Sequence, residues 1–282
     1  MSPDTLFVLG AAVVGLAIGS FLNVVIHRYP RMMEAAWRAQ CAELDGKEPP
    51  AAALFNLWIP RSHCPSCKKT LAVTDNIPVF SYAILRGRCR YCRAPISGRY
   101  PLVETLTAVL SAAVAWKFGF GLAAGFALVF TWLLIALTFI DLDTQFLPFE
   151  MTSLLFWLGF VATLLALYPW VSLRESVLGA LVGYFSLWSL NALYKLVRGR
   201  VGMGDGDFAL LAGLGAWMGV AALLPIVLLA SAVGAIVGIT QNLLARRGVG
   251  LEVAIPFGPY LAGAGMIMLL AGPAWSKWIM PL

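Results

Sequence analysis

Charged residues and histidine are both scarce in this sequence. Only 12% of its 282 residues are charged, and it contains two histidines, His27 and His63. So few histidines leave little material for a Ser-His or Cys-His catalytic arrangement. The sequence also lacks a G-x-S-x-G, an H-E-x-x-H and a phosphate-binding loop motif. The low charge excludes an ordinary soluble domain, in which about a quarter of the residues are charged.

Apolar residues take the place of the missing charge, at 60% of the chain with a mean hydropathy of +0.83. Several apolar runs reach the roughly 20 residues that a helix needs to cross a bilayer. The first run is too long for a signal peptide and is expected to be retained. The sequence therefore predicts an all-α polytopic protein in the lipid bilayer, with about eight transmembrane helices. The predicted spans lie near residues 6–26, 102–118, 122–140, 150–168, 177–197, 205–219, 221–244 and 255–270.

The basic residues are concentrated between the first two predicted spans. Residues 28–100 contain 12 of the 20 Lys and Arg residues but five acidic residues. Eight spans place 17 basic residues on the cytosolic side and three outside, Lys117, Arg174 and Lys277, as the positive-inside rule requires. Because that rule accounts for the basic segment, nucleic-acid binding is not expected. We predict a first transmembrane helix at 1–27, a cytosolic insert at 28–100 and a seven-helix membrane domain at 101–282.

Four cysteines of the insert form two C-x-x-C pairs, Cys64/Cys67 and Cys89/Cys92, separated by 21 residues. This spacing is typical of a zinc ribbon with four thiolate ligands and a structural ion. The alternative, two disulfide bonds, requires an oxidising compartment. Because the basic residues place the insert in the cytosol, zinc is the favoured interpretation.

Two acidic clusters lie at the ends of predicted spans. Asp141 and Asp143 end the third span, whereas Asp205 and Asp207 open the sixth within Gly202-Met-Gly-Asp-Gly-Asp207. One aspartate at a helix end is more often a cap than a catalyst. Eight spans, however, place both clusters on the cytosolic face, where one carboxylate from each could form an acid–base pair. The alternative is a transporter or channel whose acidic residues carry protons or cations, combined with a zinc-binding interaction module.

Six segments together resemble the bacterial type IV prepilin peptidases, and they cover nearly the whole chain in order. The segments are the two cysteine pairs, Gly19-Ser-Phe-Leu-Asn-Val-Val-Ile-His-Arg-Tyr-Pro30, Asn76-Ile-Pro-Val-Phe-Ser81, Pro95-Ile-Ser-Gly-Arg-Tyr-Pro-Leu-Val-Glu104, Asp141-Leu-Asp-Thr-Gln-Phe-Leu-Pro148 and Gly202-Met-Gly-Asp-Gly-Asp-Phe208. The resemblance implies an aspartic protease of the GxGD type in the bacterial inner membrane, with its active site facing the cytosol. It also implies prepilin or pseudopilin substrates, from type IV pili or type II secretion, and N-methylation with S-adenosylmethionine.

The same resemblance assigns roles within each acidic cluster. Asp141, seven residues before Pro148, and Asp207, which closes the G-x-G-D element, match the two catalytic aspartates. Four supporting residues are Asp143, Gly204, Asp205 and Gly206. Three positions depart from the family's pattern and bear on turnover and substrate contacts, namely Phe149, Asp205 and Ala209.

Two polar residues in apolar runs carry further expectations. Asn23 is expected to face another helix, and Glu104 to stabilise a helix N-terminus or to take part in methyl transfer. No sequence pattern identifies the methyl-donor residues, the oligomeric state or the particular pilin. The methyl-donor site is expected at the cytosolic face, between the insert and nearby span ends.

Overall fold

The computed structural model describes residues 2–47, 54–244 and 256–272, and these residues form an all-helical structure. Within these ranges, β-structure is limited to two isolated bridges, so the predicted fold class is confirmed. The α-helices are α1 Pro3–Leu44, α2 Phe80–Ile84, α3 Arg99–Phe118, α4 Leu122–Thr144, α5 Phe149–Leu164, α6 Leu173–Arg198, α7 Asp205–Met218, α8 Leu223–Leu244 and α9 Gly258–Ala271.

Each of the eight predicted spans coincides with one of these helices, but the helices differ in length. In the described part of the chain, five segments are long and apolar enough to cross a membrane: α1, α3, α4, α6 and Val220–Gln241. The chain is therefore a multi-pass membrane protein. Helices α5, α7 and α9 have 16, 14 and 14 residues, so the count of eight spans stays a prediction. Ile255 and Lys277 lie outside the described residues.

Helix α1 does not end where the first predicted span ends. It continues through Pro30 to Leu44 without a break. At 1.5 Å per residue its 42 residues extend about 63 Å, roughly twice the thickness of the hydrocarbon core. The second half of α1 therefore belongs outside the membrane.

The chain divides into two compact units after Phe120. Unit 1, residues 1–120, contains α1, α2, α3 and the cysteine-bearing insert, whereas unit 2, residues 121–282, contains the remaining helices. Helix α3 thus groups with α1 and not with the other membrane helices. The boundaries predicted at residues 27 and 100 divide the chain by location, in the membrane or in the cytosol, and not by compactness. These boundaries stay a prediction.

Close packing between α1 and α3 organises unit 1. A Cβ atom on Gly15 would lie 2.8 Å from the Cα of Ala108, and one on Gly19 would lie 2.7 Å from the Cα of Glu104. Two glycines four residues apart are a frequent device for close approach of membrane helices. The Nδ2 of Asn23 donates a hydrogen bond of 3.1 Å to the Tyr100 carbonyl, so Asn23 faces α3 as expected.

Unit 2 holds α7 between α5 and α6. Gly179 and Gly215 bring the backbones of α6 and α7 into contact, and the Ser176 hydroxyl donates to the Ala216 carbonyl at 2.6 Å. On the α5 side, the buried Trp217 ring donates from Nε1 to the Leu155 carbonyl at 2.7 Å. These contacts fix the rotation and height of α7, and with them the position of its first turn.

Candidate active site

Asp141 and Asp207 lie in two helix-terminal turns of unit 2. Asp141 belongs to the last turn of α4 and Asp207 to the first turn of α7. Both are buried, with 4% and 9% of their surface exposed, and they are close enough for the charge of Asp141 to act on Asp207. The structure therefore brings together the two aspartates that the sequence resemblance singles out, one from each acidic cluster.

Burial separates these two aspartates from their acidic neighbours. Asp143 and Asp205 are exposed at the same helix ends. An exposed carboxylate can be solvated by water, whereas a buried one needs a hydrogen-bond partner or a proton. The chemistry available to the buried pair is therefore not available to Asp143 or Asp205, which lie at the rim of the site.

One oxygen of each buried carboxylate has no hydrogen-bond partner among the described residues. These oxygens are Oδ2 of Asp141 and Oδ1 of Asp207. Buried polar atoms are hydrogen-bonded in the great majority of cases, and exceptions concentrate at functional sites. Two such atoms on interacting carboxylates could together bind a water molecule and a substrate carbonyl.

Two glycines make room for this pair. A Cβ atom on Gly258, at the start of α9, would lie 2.6 Å from Oδ2 of Asp141. One on Gly206 would lie 2.6 Å from the Cβ of Leu147, whose side chain also approaches Gly258. Gly206 was expected from the G-x-G-D element, but the sequence analysis did not single out Gly258. Its signal is a glycine before a proline at the start of an apolar run.

Asn191 of α6 fixes the loop that leads into α7. Its Oδ1 accepts hydrogen bonds from the backbone N–H groups of Gly202 and Met203, at 2.9 and 3.1 Å. The ring of Tyr194 lies against Gly202, where a Cβ atom would meet it at 2.7 Å. The sequence analysis also missed Asn191, which lies eleven residues before the loop and carries no motif of its own.

The four cysteines of the insert converge on one point. Their sulfur atoms all lie within 4.8 Å of one another, and the sulfurs of Cys64 and Cys92 are 3.8 Å apart. Sulfurs about 2.3 Å from a tetrahedral ion are separated by about 3.8 Å, so the cluster fits zinc. The cysteines are not paired as disulfides.

The two C-x-x-C pairs have the same backbone structure. In each pair, the backbone N–H of the first cysteine donates a hydrogen bond to the carbonyl five residues later. Cys64 donates to Lys69 at 3.0 Å, and Cys89 donates to Ala94 at 2.8 Å. The residue after the second cysteine has positive φ in both, 60° at Lys68 and 61° at Arg93. Each pair is therefore one tight turn that presents two sulfurs on the same side.

The thiols of this cluster differ in acidity. Hydrogen bonds, above all from the backbone of Cys67, lower the pKa of Cys64 to about 6. The backbone of Ala94 acts in the same direction on Cys92, but burial and the other thiols prevail and raise its pKa to about 11. A zinc ion bound here would hold all four cysteines as thiolates, because a coordinating thiol is deprotonated.

Two buried charged residues attach the insert to the helices of unit 1. The Arg28 guanidinium donates to the carbonyls of Asn56 and Pro60, at 2.9 and 2.6 Å. The Oε2 of Glu104 accepts a hydrogen bond of 2.7 Å from the N–H of Val79. The expectation that Glu104 stabilises a helix N-terminus is wrong, because α3 begins at Arg99 and Glu104 lies beyond its first turn.

Comparisons with known proteins agree with this geometry. The "Bacterial Peptidase A24 N-terminal domain" matches residues 13–118, and the "Type IV leader peptidase family" matches residues 128–239. The chain is similar to proteins named prepilin leader peptidase/N-methyltransferase from several bacteria. The Pseudomonas aeruginosa protein is 50% identical over 94% of this chain and 91% of its own length. The Stutzerimonas stutzeri protein is 49% identical over the same shares.

The match extends to relatives of lower identity. The relative from Neisseria gonorrhoeae is 45% identical over 95% of this chain and 91% of its own length. No solved structure matches the chain. These likenesses favour the peptidase interpretation over the transporter or channel. The chain belongs to the type IV leader peptidase family.

Proposed function

We propose that this protein is an aspartic endopeptidase that removes the leader from type IV prepilins or pseudopilins and then N-methylates the new N-terminus. The observation that carries the proposal is the buried, interacting pair Asp141 and Asp207 in a chain of the leader peptidase family. The similarity of the chain to proteins named for both activities supports the N-methylation step.

Peptide hydrolysis follows from two carboxylates that share one proton. The ionised carboxylate takes a proton from water, whose oxygen attacks the scissile carbonyl carbon. The protonated carboxyl group polarises the carbonyl oxygen and later protonates the leaving nitrogen as the C–N bond breaks. The oxygens of Asp141 and Asp207 that lack partners suit these contacts. This reaction requires no nucleophilic side chain.

The substrate class sets the proposed location. A prepilin has a basic leader followed by a long apolar helix, which would lie in the bilayer with its leader in the cytosol. Cleavage at that junction requires acidic groups at helix ends, where Asp141 and Asp207 occur. We therefore place the protein in the bacterial inner membrane with its active site facing the cytosol. Asp205, exposed at the rim, could attract the basic leader.

Zinc is proposed as a structural ion held by Cys64, Cys67, Cys89 and Cys92. Four thiolates complete a tetrahedron and leave no position for water, so the ion would not take part in catalysis. A segment as small as the insert buries little apolar surface. The metal would therefore supply much of its folding free energy.

Methyl transfer requires a second arrangement of groups. S-adenosylmethionine supplies a methyl carbon on a sulfonium. The lone pair of the new amine attacks this carbon while the C–S bond breaks, and the displaced proton leaves to solvent. Since no activated water is needed, the aspartate pair has no role in this chemistry. Glu104 is a poor candidate for holding the amine, because its carboxylate already accepts the Val79 N–H.

The decisive experiment incubates purified protein with a prepilin, with and without S-adenosylmethionine, and follows the products by mass spectrometry. Wild type should release the leader, and the mature chain should gain one methyl group in place of a hydrogen only when the donor is present. Asp141→Asn and Asp207→Asn should lose cleavage. Asp143→Asn and Asp205→Asn, the matched controls, should retain it. Cleavage by Asp207→Asn but not by Asp205→Asn would show that the motif is misassigned.

A second arm separates the two activities. Given a pilin that is already cleaved, Asp207→Asn should still transfer label from the donor. Loss of methyl transfer in a well-folded Asp207 variant would mean that both reactions share one site.

A further inference from the structure

Two segments of the insert contact the membrane part of unit 1 at the same level. The Val79 N–H donates a hydrogen bond of 2.7 Å to Glu104 of α3, and a Cβ atom on Gly19 of α1 would lie 2.7 Å from the Cα of Glu104. The ring of Trp58 stacks on that of Phe21 of α1, with 6.0 Å between their centroids. The insert therefore meets one level of α1 through two different segments.

This level lies below the surface of the bilayer. Gly19 belongs to the apolar run at residues 6–26, and Arg99 is the last basic residue before the apolar run of α3. Basic residues concentrate at the cytosolic ends of membrane helices. At 1.5 Å per residue, Glu104 lies about 7.5 Å further along α3 than Arg99. This puts both segments within the roughly 5–10 Å by which surface-bound helices enter the boundary between headgroups and acyl chains.

The first segment, which contains α2, exposes an apolar face. Phe80 and Ile84 lie one turn apart on α2, and both are exposed. Tyr82 lies on the other side of the helix, where its hydroxyl donates to the Ile96 carbonyl at 3.4 Å. Because residues four apart share one face of a helix, the two large apolar side chains form a patch that no other described residue buries.

The second segment, residues 54–59, is also apolar and exposed. Leu54, Trp58 and Ile59 all have exposed side chains. The backbone of this segment is fixed, since the Oδ1 of Asn56 accepts the N–H groups of Trp58 and Ile59, at 2.8 and 2.7 Å. Tryptophan is enriched where a membrane meets water. A fixed loop with an exposed indole at this level therefore suits the surface of the bilayer.

Exposed arginines follow the apolar face of α2. Arg86 and Arg88 are exposed, and neither forms an ion pair with another described residue. The cytosolic leaflet contains anionic lipids, whose surface potential attracts basic side chains near the membrane. An apolar face with neighbouring basic side chains thus matches the boundary between acyl chains and phosphates. A soluble protein partner would also cover an apolar face, but it would have to reach below the lipid headgroups.

We propose that the insert is partly embedded in the cytosolic leaflet of the bilayer. Phe80, Ile84 and Trp58 contact acyl chains near the headgroups, and Arg86 and Arg88 contact phosphate. The segment predicted to be a cytosolic insert is therefore bound to the membrane surface at two places, which keeps its cysteine cluster close to the lipid. The inference uses only contacts within unit 1 and does not rest on the proposed function.

Hydroxyl-radical labelling of wild type in phospholipid nanodiscs tests this without a variant. The protein leaves 75% of the surface of Trp58 exposed, against 47% for Trp37 in the second half of α1. Water contact alone would therefore label Trp58 more strongly. Lipid cover should reverse that order, with each rate normalised to the same peptide in denatured protein. Stronger labelling of Trp58 than of Trp37 in the native state would overturn the proposal.

A photo-cross-linker identifies what covers the apolar face of α2. p-Benzoylphenylalanine replaces Ile84 in one variant and Leu44 in the other, since Leu44 is likewise an exposed apolar residue at the end of a helix. Irradiation in nanodiscs should give phospholipid adducts from position 84 but not from position 44.

Three outcomes of the cross-linking would contradict the proposal. Adducts of position 84 with unit 2 or with a second copy of the chain would show that protein, and not lipid, covers α2. Equal yields of phospholipid adducts from the two positions would show that the label does not report depth. The absence of phospholipid adducts from position 84, in a variant with the zinc content of wild type, would show that α2 lies in water.

Discussion

The two units of this protein hold their polar groups in different ways. In unit 1, buried charges serve attachment: Arg28 and Glu104 bond backbone groups of the insert, and four thiols converge on one point. In unit 2, Asp141 and Asp207 lie at the ends of tightly packed helices, and each keeps an oxygen without a partner among the described residues. Unit 1 thus uses its buried polar groups to attach the insert, whereas unit 2 positions its reactive groups by close helix packing and by the hydrogen bonds that Ser176, Trp217 and Asn191 form.

This difference implies different sensitivities. A structure assembled from a loop, as in the insert of unit 1, depends on every contact that fixes the loop, including a metal ion. Loss of one such contact should therefore unfold the insert. A site placed on packed helices should tolerate the loss of a surface contact but not the addition of atoms, because well-packed interiors accommodate little extra volume. Four measurements test this difference between the units.

The largest effect is expected from removing one cysteine of the cluster. Cys89→Ser should release zinc and unfold the insert, because structural zinc contributes roughly 10–16 kcal/mol in small domains. Methyl transfer should fall more than tenfold, while cleavage by unit 2 should retain most of its rate. Metal analysis and the two activity assays test this. Cys41→Ser, at the exposed fifth cysteine, is the control and should change none of them. Full zinc content in a folded Cys89→Ser would contradict the proposed ligand set.

Adding a single methyl group at Gly258 in unit 2 should lower leader cleavage almost as strongly as the cysteine change lowers methyl transfer. Gly258→Ala places a Cβ atom 2.6 Å from Oδ2 of Asp141, so the carboxylate must shift. Misplacement of a catalytic group by about 1 Å can lower the rate about 100-fold, and cleavage should fall by this order without loss of zinc. Gly263→Ala, on the same helix with open space around it, should behave as wild type. Equal kcat/KM values for the two variants would show that α9 does not constrain Asp141.

Detaching the insert at one point should have a moderate effect. Arg28→Met leaves the carbonyls of Asn56 and Pro60 without their donor, which should destabilise the insert by about 2–4 kcal/mol. The measurement is thermal release of zinc, followed with a chelating dye. Arg31→Met, at an exposed position of the same helix, should release zinc at the wild-type temperature. If both variants release it at the same temperature, Arg28 does not attach the insert.

The smallest effect is expected at Asn191. Asn191→Ala removes two hydrogen bonds to the loop before α7, each worth about 0.5–1.5 kcal/mol. If about 1–1.4 kcal/mol of this total is lost from stabilisation of the transition state, cleavage should fall by about five- to tenfold, since 1.36 kcal/mol corresponds to a factor of ten in rate. Ser189→Ala removes a hydroxyl that bonds its own helix and serves as the control. A rate unchanged in Asn191→Ala would show that the helix contacts alone position Asp207.

Much of the architecture could be predicted from the sequence, because hydropathy and motif spacing are local properties. Apolar runs located the helices, and the spacing of Cys64, Cys67, Cys89 and Cys92 predicted their convergence. Asn23 could be placed against another helix because an amide in an apolar run needs a partner. The resemblance also selected the two aspartates that the structure buries together, although burial itself could not be read from the motifs.

Long-range contacts could not be predicted in the same way. Gly258 lies more than 100 residues from Asp141, and no periodic pattern connects them. Glu104 was placed by the rule for helix N-termini, but its carboxylate accepts the Val79 N–H, a contact that depends on the path of the insert. The conformation of residues 56–60 could not be predicted for the same reason, since it depends on hydrogen bonds with Arg28 of α1.

The continuity of α1 has a consequence for the position of the insert. Gly19, which contacts α3, and Arg28, which holds the insert, belong to one helix and lie about 14 Å apart along its axis. Inserting one residue between them would move Arg28 about 1.5 Å along the axis and turn it by about 100°. The carbonyls of Asn56 and Pro60 would then lose their donor even though Arg28 was still present. The distance of the insert from the bilayer centre is therefore set by the number of residues in α1, independently of the metal.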